Sequence, residues 1–403
     1  MIYLHGYLNV RKFLVLKHLK DMIKRGFTPI YPRDIYLFGL KNILNICNGP
    51  GLFLTLRIKT LNLKKIYWGY KLKNTNILIT GGAGYIGSHI VEQLVNQKNN
   101  IIIIDNLVTG YKRLINKKAK FIKADLKNKK NLNNIISKNK IHTIIHLAAY
   151  LNVSEAESNK KKYYKNNVIG TKNLVEACKN SEVKNIIYSS SCSIYGNTIG
   201  SVSEHKKPNP MGYYAYTKYK GENLIKKYSK EIGYNFAILR YFNVAGASPS
   251  KKIGQIEKSH GQLFKNISIQ ALKKNPVIRV YGKNYNTKDG TCIRDYIHVS
   301  DLADIHFLSA RYLFNKNKSN IFNCGYGKGF SVKEVIKTYN KILDKKIKYE
   351  IGERRPGDSK LVVANPDKFK KTMKWKPKFN DLKYILKTAY SWEKKLNTKF
   401  KIK

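Results

Sequence analysis

The chain has 403 residues, of which 42% are hydrophobic, and this content is enough to bury a large globular core. Lys and Arg number 77 against 25 Asp and Glu, which gives a formal net charge of +52. Because the basic residues are spread along the whole chain, without an arginine-rich block or a nucleic-acid fold signature, the charge indicates a compositional bias and no specific nucleic-acid partner.

Residues 1–74 differ in composition from the rest of the chain. They contain no Ser and no Glu, and Asp21 and Asp34 are their only acidic residues. Their start lacks the order of a secretory signal peptide, and the absence of Ser disfavours a standard transit peptide. We interpret them as a basic extension of unknown role and expect a cytoplasmic protein, with targeting to an organelle left open.

Strand and helix signals alternate from Thr75 to Asn243. Short apolar runs predict strands at 76–80, 101–105, 120–125, 142–148, 184–190 and 235–241. Helix-like segments run from the first turn to about 96 and over about 130–139, 163–180 and 213–231. Such alternation is typical of a parallel sheet covered on both faces, so we predict an α/β, doubly wound (Rossmann) domain over 75–243.

The alternation becomes irregular after Asn243. Turn-rich sequence such as GKNYNTKDG, residues 282–290, precedes a few later helices. We predict that residues 244–403 mainly form a smaller C-terminal α/β lobe that binds the substrate, and that some of their elements join the first domain.

The cysteines predict free thiols in a reducing compartment. They stand at 47, 178, 192, 292 and 324, an odd number with no C-x-x-C pair. No His cluster has the spacing of metal ligands, so we predict no metal site. No uncharged apolar run reaches the roughly 18 residues that a membrane-spanning helix needs, so no such helix is predicted.

A glycine-rich turn follows the first predicted strand. Gly81, Gly84 and Gly87 have the spacing G-x-x-G-x-x-G, in which glycine permits a tight turn, approach of backbone to a pyrophosphate and close packing of the next helix. The second strand ends at Asp105, 18 residues after Gly87. A carboxylate there accepts hydrogen bonds from both hydroxyls of an adenine ribose and repels a 2′-phosphate, which favours NAD over NADP.

Two Tyr-x-x-x-Lys pairs follow the fifth predicted strand, and one of them matches a hydride-transfer site. Tyr214 comes 23 positions after Ser191, with Lys218 one helical turn further on. A lysine ammonium and a cationic nicotinamide both favour the phenolate of Tyr214, and the Ser191 hydroxyl can bond the same substrate oxygen. Tyr216 and Lys220 point about 200° away on a helix, so we predict that they take no part in the chemistry.

Several motifs occur in the order found in the extended short-chain dehydrogenase/reductases. They are TGGAGYIGSH, HLAA, NNVIGT, SSSCSIYG, Tyr-x-x-x-Lys, RYFNVAGA and GTCIRDYIHVSDLA. The last two resemble the narrower family of UDP-glucose 4-epimerases, and the resemblance runs from about Asn76 to the end of the chain. It implies NAD as the cofactor, a UDP-hexose as the substrate and a homodimer as the assembly.

The resemblance also implies roles for individual residues. For the cofactor they are Gly81, Gly84, Tyr85, Ile86 and Gly87 at the pyrophosphate, Asp105 and Asn106 at the adenosine ribose, Asp125 and Leu126 beside the adenine, Ala148 and Asn166 along the cofactor channel, and Lys218 at the nicotinamide ribose. Ser191 and Tyr214 match the catalytic pair. Positions that match contacts to the uridine diphosphate are Asn243, Asn266, Tyr281, Arg294, Arg355 and Asp358.

Some of these residues have a simpler interpretation. Arg294 stands beside Asp295 and Arg355 stands near Glu353, so both arginines are also candidates for surface ion pairs of little energetic consequence. The two asparagines are candidates for local backbone hydrogen bonds. We interpret His260 and His298 as structural residues.

The implied reaction is NAD-dependent interconversion of UDP-glucose and UDP-galactose by oxidation at C4, rotation of the 4-keto sugar and reduction on its other face. A related UDP-sugar epimerase for N-acetylhexosamines or pentoses, and a UDP-sugar decarboxylase, start with the same oxidation and stay open. A dehydratase is disfavoured, since Cys192 and Ser193 follow Ser191 where an acidic pair is needed. A non-enzymatic NAD-sensing or polyanion-binding protein is the alternative from another class, and intact Ser191, Tyr214 and Lys218 argue against it.

Overall fold

The computed structural model describes residues 75–97, 99–198, 200–256, 262–355 and 358–399. The extension predicted at residues 1–74 and the interpretation of His260 therefore lie outside the described residues. The described part contains one large sheet, one smaller mixed sheet and a two-stranded sheet.

A seven-stranded parallel sheet forms the centre of the fold. Its strands are β1 Asn76–Thr80, β2 Asn100–Asp105, β3 Lys120–Lys123, β4 Thr143–His146, β5 Asn185–Ser191, β7 Asn235–Tyr241 and β11 Asn320–Cys324. They lie in the order β11-β7-β5-β4-β1-β2-β3, and every neighbouring pair is parallel. The strand order reverses between β1 and β4, and a crevice at the carboxyl ends of such strands is where open α/β sheets bind ligands.

Helices connect these strands and cover both faces of the sheet. They are α1 Tyr85–Val95, α2 Lys129–Lys138, α3 Val153–Ser158, α4 Lys160–Tyr163, α5 Gly170–Glu176, α6 Tyr213–Ile232, α7 Leu263–Ala271, α8 Val299–Lys316, α9 Val332–Leu343, α10 Asp367–Met373 and α11 Leu382–Lys399. A π-helical turn, Tyr164–Ile169, joins α4 to α5. The central strand β1 is buried on both faces, with Ile77, Leu78 and Ile79 fully inaccessible, because helices cover it from both sides.

The remaining strands form two smaller sheets. They are β6 Ser201–Val202, β8 Asn243–Ala245, β9 Val277–Tyr281, β10 Ile293–His298, β12 Gly329–Ser331, β13 Lys348–Gly352 and β14 Leu361–Ala364. Strands β12, β10, β14 and β6 are neighbours in that order and β8 also pairs with β10, while β13 pairs with β9. The capping box between Ser331 and Glu334 starts α9 directly after β12, which fixes where this strand ends.

The predicted doubly wound parallel sheet is confirmed. The strands predicted at 76–80 and 235–241 coincide with β1 and β7, and the helix predicted at 213–231 ends one residue later. A domain boundary at residue 243 stays a proposal, because elements cross it in both directions: β11 joins the large sheet and β6 joins the smaller one. Within the described ranges, no helix is long and apolar enough to cross a membrane.

Four buried histidines are held in the neutral form. Burial lowers the pKa of His89 and His306 to about 4 and that of His146 and His298 to about 3. His306, for example, is fully buried on α8, where Nδ1 lies 2.8 Å from the Leu302 carbonyl and Nε2 lies 2.6 Å from the Tyr241 hydroxyl. At these four side chains the unfolded chain therefore binds more protons than the folded chain below about pH 6.5.

Acid should destabilise the fold, and a substitution of His306 can isolate the contribution of one buried histidine. Because the folded pKa lies below the unfolded one, no stability is lost above about pH 6.5, and the loss grows as the pH falls toward the folded pKa. Between pH 7 and pH 5 we expect the native chain to lose about 2 kcal/mol more unfolding free energy than a His306→Gln variant, as measured by urea unfolding. His142→Gln is the control, since this side chain is 41% exposed, and an equal effect of both substitutions would contradict the account.

Candidate active site

The turn after β1 requires glycine at the positions predicted for a pyrophosphate. Gly81 has φ +73°, and a Cβ there would lie 2.9 Å from the Ala148 nitrogen. A Cβ at Gly87 would lie 2.2 Å from the Gly81 carbonyl oxygen, so α1 packs closely on the turn only with glycine at this position. Gly84 precedes α1 without a side-chain cap, and the positive end of this helix dipole favours an anion bound at the turn. The glycine turn therefore fits the dinucleotide predicted from the sequence.

Two glycine substitutions should have graded effects, because they approach the same atom at different distances. A Cβ at Gly84 would lie 3.3 Å from the Gly81 oxygen, against 2.2 Å for one at Gly87. We expect Gly87→Ala to lower the unfolding free energy by about 2 kcal/mol and to weaken NAD binding severely, because backbone must move. Gly84→Ala should have the smaller effect on both. Calorimetric NAD titration with thermal unfolding checks this, and equal effects would contradict the proposed close packing.

The carboxyl ends of β2 and β3 carry the acidic groups expected at an adenosine. The Asp105 carboxylate accepts hydrogen bonds from the N–H groups of Ala83 at 3.1 Å and Leu107 at 2.8 Å. Each oxygen retains a further lone pair, which is what two ribose hydroxyls require. Burial raises the pKa of Asp105, and the two backbone hydrogen bonds oppose that shift. Next to it, the Asn106 side chain donates to Asp125 at 3.0 Å, and Leu126 is buried.

The end of β4 and the π-helical turn contribute the remaining residues predicted for the cofactor. Ala148 lies against Gly81, and the Asn166 amide donates to the Asn167 side chain at 3.0 Å. Asn167 is itself buried and donates to Thr217 on α6 at 3.2 Å. The π-helical turn is thereby attached to α6, in keeping with the frequent occurrence of π-bulges at functional sites.

Helix α6 turns one Tyr-x-x-x-Lys pair inward and the other outward. The Lys218 ammonium is buried and donates to the Ser189 carbonyl at 2.8 Å, and Tyr214 lies one turn earlier on the same face. Burial lowers the pKa of Lys218 to about 7. Lys220 is exposed and lies 5.3 Å from the ring centroid of Tyr216. The first pair is thus the one that faces the end of β5.

Ser191 ends β5, and Tyr214 lies in the first turn of α6 close to it. The Ser191 oxygen accepts from the Ser193 N–H at 3.2 Å and from the Ser193 hydroxyl at 2.9 Å, which uses its two lone pairs and leaves its own proton to donate. Burial raises the pKa of Tyr214 to about 12, while the hydrogen bond with Ser191 lowers it. Burial disfavours the charged form of both groups. The phenolate predicted from the sequence is favoured by Lys218 together with a cationic nicotinamide, and it stays a prediction.

One cavity of about 1460 Å³ collects the residues predicted for the uridine diphosphate. All of them line it, although they come from five different elements or loops: Asn243, Asn266, Tyr281, Arg294, Arg355 and Asp358. Met211 and Gly212, which directly precede α6, also line it, whereas Ser191, Tyr214 and Lys218 do not. Tyr241 pairs with Ser191 between β7 and β5, and Asn243, two residues further on, lines the cavity, which places the cavity wall beside the end of β5.

Arg294 and Arg355 in the cavity wall contact residues other than the acidic residues near them in the sequence. Arg294 donates to the Asp358 carboxylate at 2.5 Å, and the Arg355 guanidinium lies 3.9 Å from the ring centroid of Tyr281. Asp295 is fully buried and accepts from three backbone N–H groups. The simpler interpretation of Arg294 as the surface partner of Asp295 was therefore wrong, since that carboxylate is committed to backbone.

The cavity also contains polar residues that sequence reasoning missed. Gln262 immediately precedes α7 and lines the wall, and Lys265 lies one turn further on. The Lys265 ammonium is 2.6 Å from Glu393 on α11. No local pattern predicts a pair of residues so far apart in the chain, but a glutamine directly before an apolar helix is a signal for a helix start facing the site.

The glycine turn and the cavity are linked by a direct contact. The Tyr85 hydroxyl donates to the carbonyl of Gly246, a cavity residue, at 2.6 Å.

A model of the NAD dependent epimerase/dehydratase family matches residues 77–325. The chain is 37% identical to the UDP-glucose 4-epimerase of Lactobacillus helveticus over 319 residues, which are 79% of this chain and 97% of that protein.

Two further relatives extend the comparison. The chain is 34% identical to UDP-arabinose 4-epimerase 1 of Arabidopsis thaliana over 357 residues, or 85% of each protein. It is also similar to the crystal structure of UDP-glucose 4-epimerase from Bifidobacterium longum in complex with NAD⁺ and UDP. That likeness has a TM-score of 0.74 and 31% identity, and covers 81% of this chain and 100% of that one.

Proposed function

The chain belongs to the NAD-dependent epimerase/dehydratase family, and from this premise we propose that it interconverts UDP-glucose and UDP-galactose. One observation supports the proposal: a single cavity gathers all six residues predicted for the uridine diphosphate, and Met211 and Gly212 in its wall directly precede the helix that carries Tyr214. The glycine turn, the Asp105 carboxylate and the buried Lys218 provide the cofactor residues next to it.

The residues around the turn after β1 fit NAD. We assign the pyrophosphate to Gly81, Gly84, Tyr85, Ile86 and Gly87, where a side chain on the last glycine would meet backbone. The adenosine is assigned to the end of β2 and β3, and the nicotinamide ribose to Lys218. The chemistry that bound NAD supplies is the reversible acceptance of a hydride from C4 of the sugar.

Tyr214 is the proton acceptor in this proposal. As the phenolate, Tyr214 takes the O4 proton while C4 is oxidised to a ketone, and the resulting hydroxyl returns that proton to O4 when the sugar is reduced on its other face. The Ser191 hydroxyl donates its hydrogen bond to O4 of the sugar, since its two lone pairs are already engaged by Ser193. O4 has to reach both Tyr214 and Ser191 in either orientation of the sugar ring. The sugar therefore turns while its nucleotide stays fixed.

The cavity residues hold the nucleotide during that turn. Arg294 and Arg355 can each donate to the diphosphate oxygens, Asp358 can accept a ribose hydroxyl, and Tyr281 offers a ring at the base. Binding energy from the nucleotide thus retains an intermediate that carries no charge of its own at the reacting carbon. Asn243 and Asn266 are assigned to the same nucleotide by their place in the wall.

A pentose is the second candidate for the sugar. The resemblance to UDP-arabinose 4-epimerase 1 covers as much of this chain as any other likeness described above. The experiment that decides is incubation of the purified protein with UDP-galactose, UDP-N-acetylgalactosamine and UDP-xylose, followed by separation of the products. UDP-glucose formed fastest supports the proposal, and conversion of the pentose alone would overturn it.

We also propose a homodimer in a reducing, cytoplasmic environment. Helix α4 and the π-helical turn expose Tyr164, which is 38% accessible, and α6 carries the neighbouring rings of Tyr213 and Tyr216 with centroids 5.5 Å apart. These surfaces are assigned to a second copy. Within the described ranges the cysteines are free thiols, which suits a reducing compartment. Light scattering tests the assembly, and a monomer mass at micromolar concentration would contradict it.

A further inference from the structure

A buried carboxylate lies on the same face of α6 as the reactive tyrosine and lysine. Glu222 follows Lys218 by one helical turn and Tyr214 by two, and its side chain has no solvent exposure. A carboxylate so deeply buried is costly to the fold unless each oxygen has a partner. The partners of Glu222 therefore indicate which elements of the fold it holds together.

Glu222 connects α6 to the two neighbouring strands β5 and β7. Its carboxylate accepts from the Ser190 hydroxyl at 2.6 Å and from Arg240 Nε and Nη2 at 2.9 and 2.8 Å. The Lys226 ammonium, one turn further along α6, lies 3.5 Å from the same carboxylate. The Arg240 side chain is only 3% exposed, so this is a two-point, charge-assisted contact away from water. Such a contact fixes both the height and the rotation of α6 over the sheet.

The Glu222–Arg240 ion pair contacts residues on both sides of Ser191 in the chain. Ser190 precedes it and bonds Glu222 directly, while Arg240 Nη1 donates to the Tyr195 hydroxyl at 2.9 Å. Tyr195 ends the short helical turn that follows Ser191, and its hydroxyl donates to Asn323 on β11 at 2.7 Å. The ion pair thus holds the two ends of the segment that carries Ser191 and the helix that carries Tyr214.

We propose that Glu222 and Arg240 are positioning residues that set the Ser191 hydroxyl against the Tyr214 phenol. This inference rests on the proposed function, since it assigns the pair a role in that reaction. Stability alone is a weak explanation of the arrangement, because well-packed apolar residues of similar volume often stabilise a fold as much as a buried ion pair does. A charged pair with fixed two-point geometry adds orientation, and a displacement of about 1 Å in a reacting group can cost about 100-fold in rate.

The test separates position from stability by replacing both partners at once. The Glu222→Leu, Arg240→Met double variant removes both charges and leaves apolar groups of similar size, so we expect a melting temperature close to that of the native protein. We expect its kcat for UDP-galactose to fall about 30-fold with KM within about 2-fold, because the nucleotide cavity is untouched. A native kcat in a stable double variant would overturn the proposal.

A second variant covers the case in which the double variant does not fold. Glu222→Asp retains the charge and shortens the reach to Arg240 and Ser190, and it should lower kcat with KM unchanged. Native kcat in folded Glu222→Asp would also overturn the inference. Asp301→Asn is the matched control, because Asp301 is equally buried, accepts from Tyr326 at 2.6 Å and does not line the cavity. It should lower the melting temperature and leave kcat unchanged.

Failure of the inference is distinguishable from failure of the proposed function. If the native protein converts none of the UDP-sugars, the function is wrong. If the native protein is active and the stable Glu222→Leu, Arg240→Met variant is equally active, only the positioning role is wrong. The control variant shows whether loss of a buried carboxylate by itself changes the rate.

Discussion

Replacement of Tyr214 by Phe is expected to lower kcat for UDP-galactose by about 1,000-fold or more, because it removes the only group proposed to exchange a proton with O4. The ring and its packing are kept, so NAD affinity and melting temperature should stay near native values. Steady-state kinetics with a coupled assay for UDP-glucose, together with calorimetric titration of NAD, measures both effects.

Tyr216→Phe is the matched control for this substitution. Tyr216 lies on the same helix two residues later and contacts the exposed Lys220 and the Tyr213 ring. Its hydroxyl has no assigned role in the reaction, so kcat should change by less than about 2-fold. Equal losses in the two variants, or native turnover in Tyr214→Phe, would contradict the assignment of the base.

Replacement of Arg355 by Gln is expected to raise KM for the UDP-sugar about 30-fold with little change in kcat. The guanidinium lines the cavity above the Tyr281 ring, where it can pair with the diphosphate, and a hydrogen bond to a charged group contributes about 1.5–3 kcal/mol. Because the diphosphate is bound equally in the ground and transition states, its loss should appear in KM.

The preceding arginine offers the control. Arg354 lies over the Tyr285 ring at 4.1 Å, donates to the Asn284 carbonyl and is not part of the cavity wall. Arg354→Gln should therefore leave KM within about 2-fold of the native value. If the two substitutions raise KM equally, the effect comes from general surface charge and the proposed diphosphate contact is wrong.

Most of the fold could be predicted from the sequence because its signals are local. The apolar strand cores are continuous runs such as residues 101–105, and the helices between them end where turn residues occur, as at Gly233 with φ +90°. The smaller sheets were not predicted strand by strand. Strands such as β6, with two residues, and β12, with three, are too short to produce a periodic pattern.

The site residues were identified by motif, but their contacts required the structure. Spacing suggested Asp295 as the partner of Arg294, whereas the fold brings Asp358 to it from 64 positions away. Composition likewise gave no sign that burial would raise the pKa of Tyr214 and lower that of Lys218. Desolvation depends on what packs over a group, and local sequence does not specify that packing.

The most direct test of the central claim follows the hydrogen on C4. UDP-galactose carrying deuterium at C4 is incubated with the purified protein in ordinary water, and the UDP-glucose formed is examined by NMR and mass spectrometry. If C4 is oxidised and the same hydride is returned to the turned sugar, UDP-glucose should retain deuterium at C4. UDP-glucose in which solvent hydrogen has replaced the label, or no UDP-glucose at all, would contradict the account.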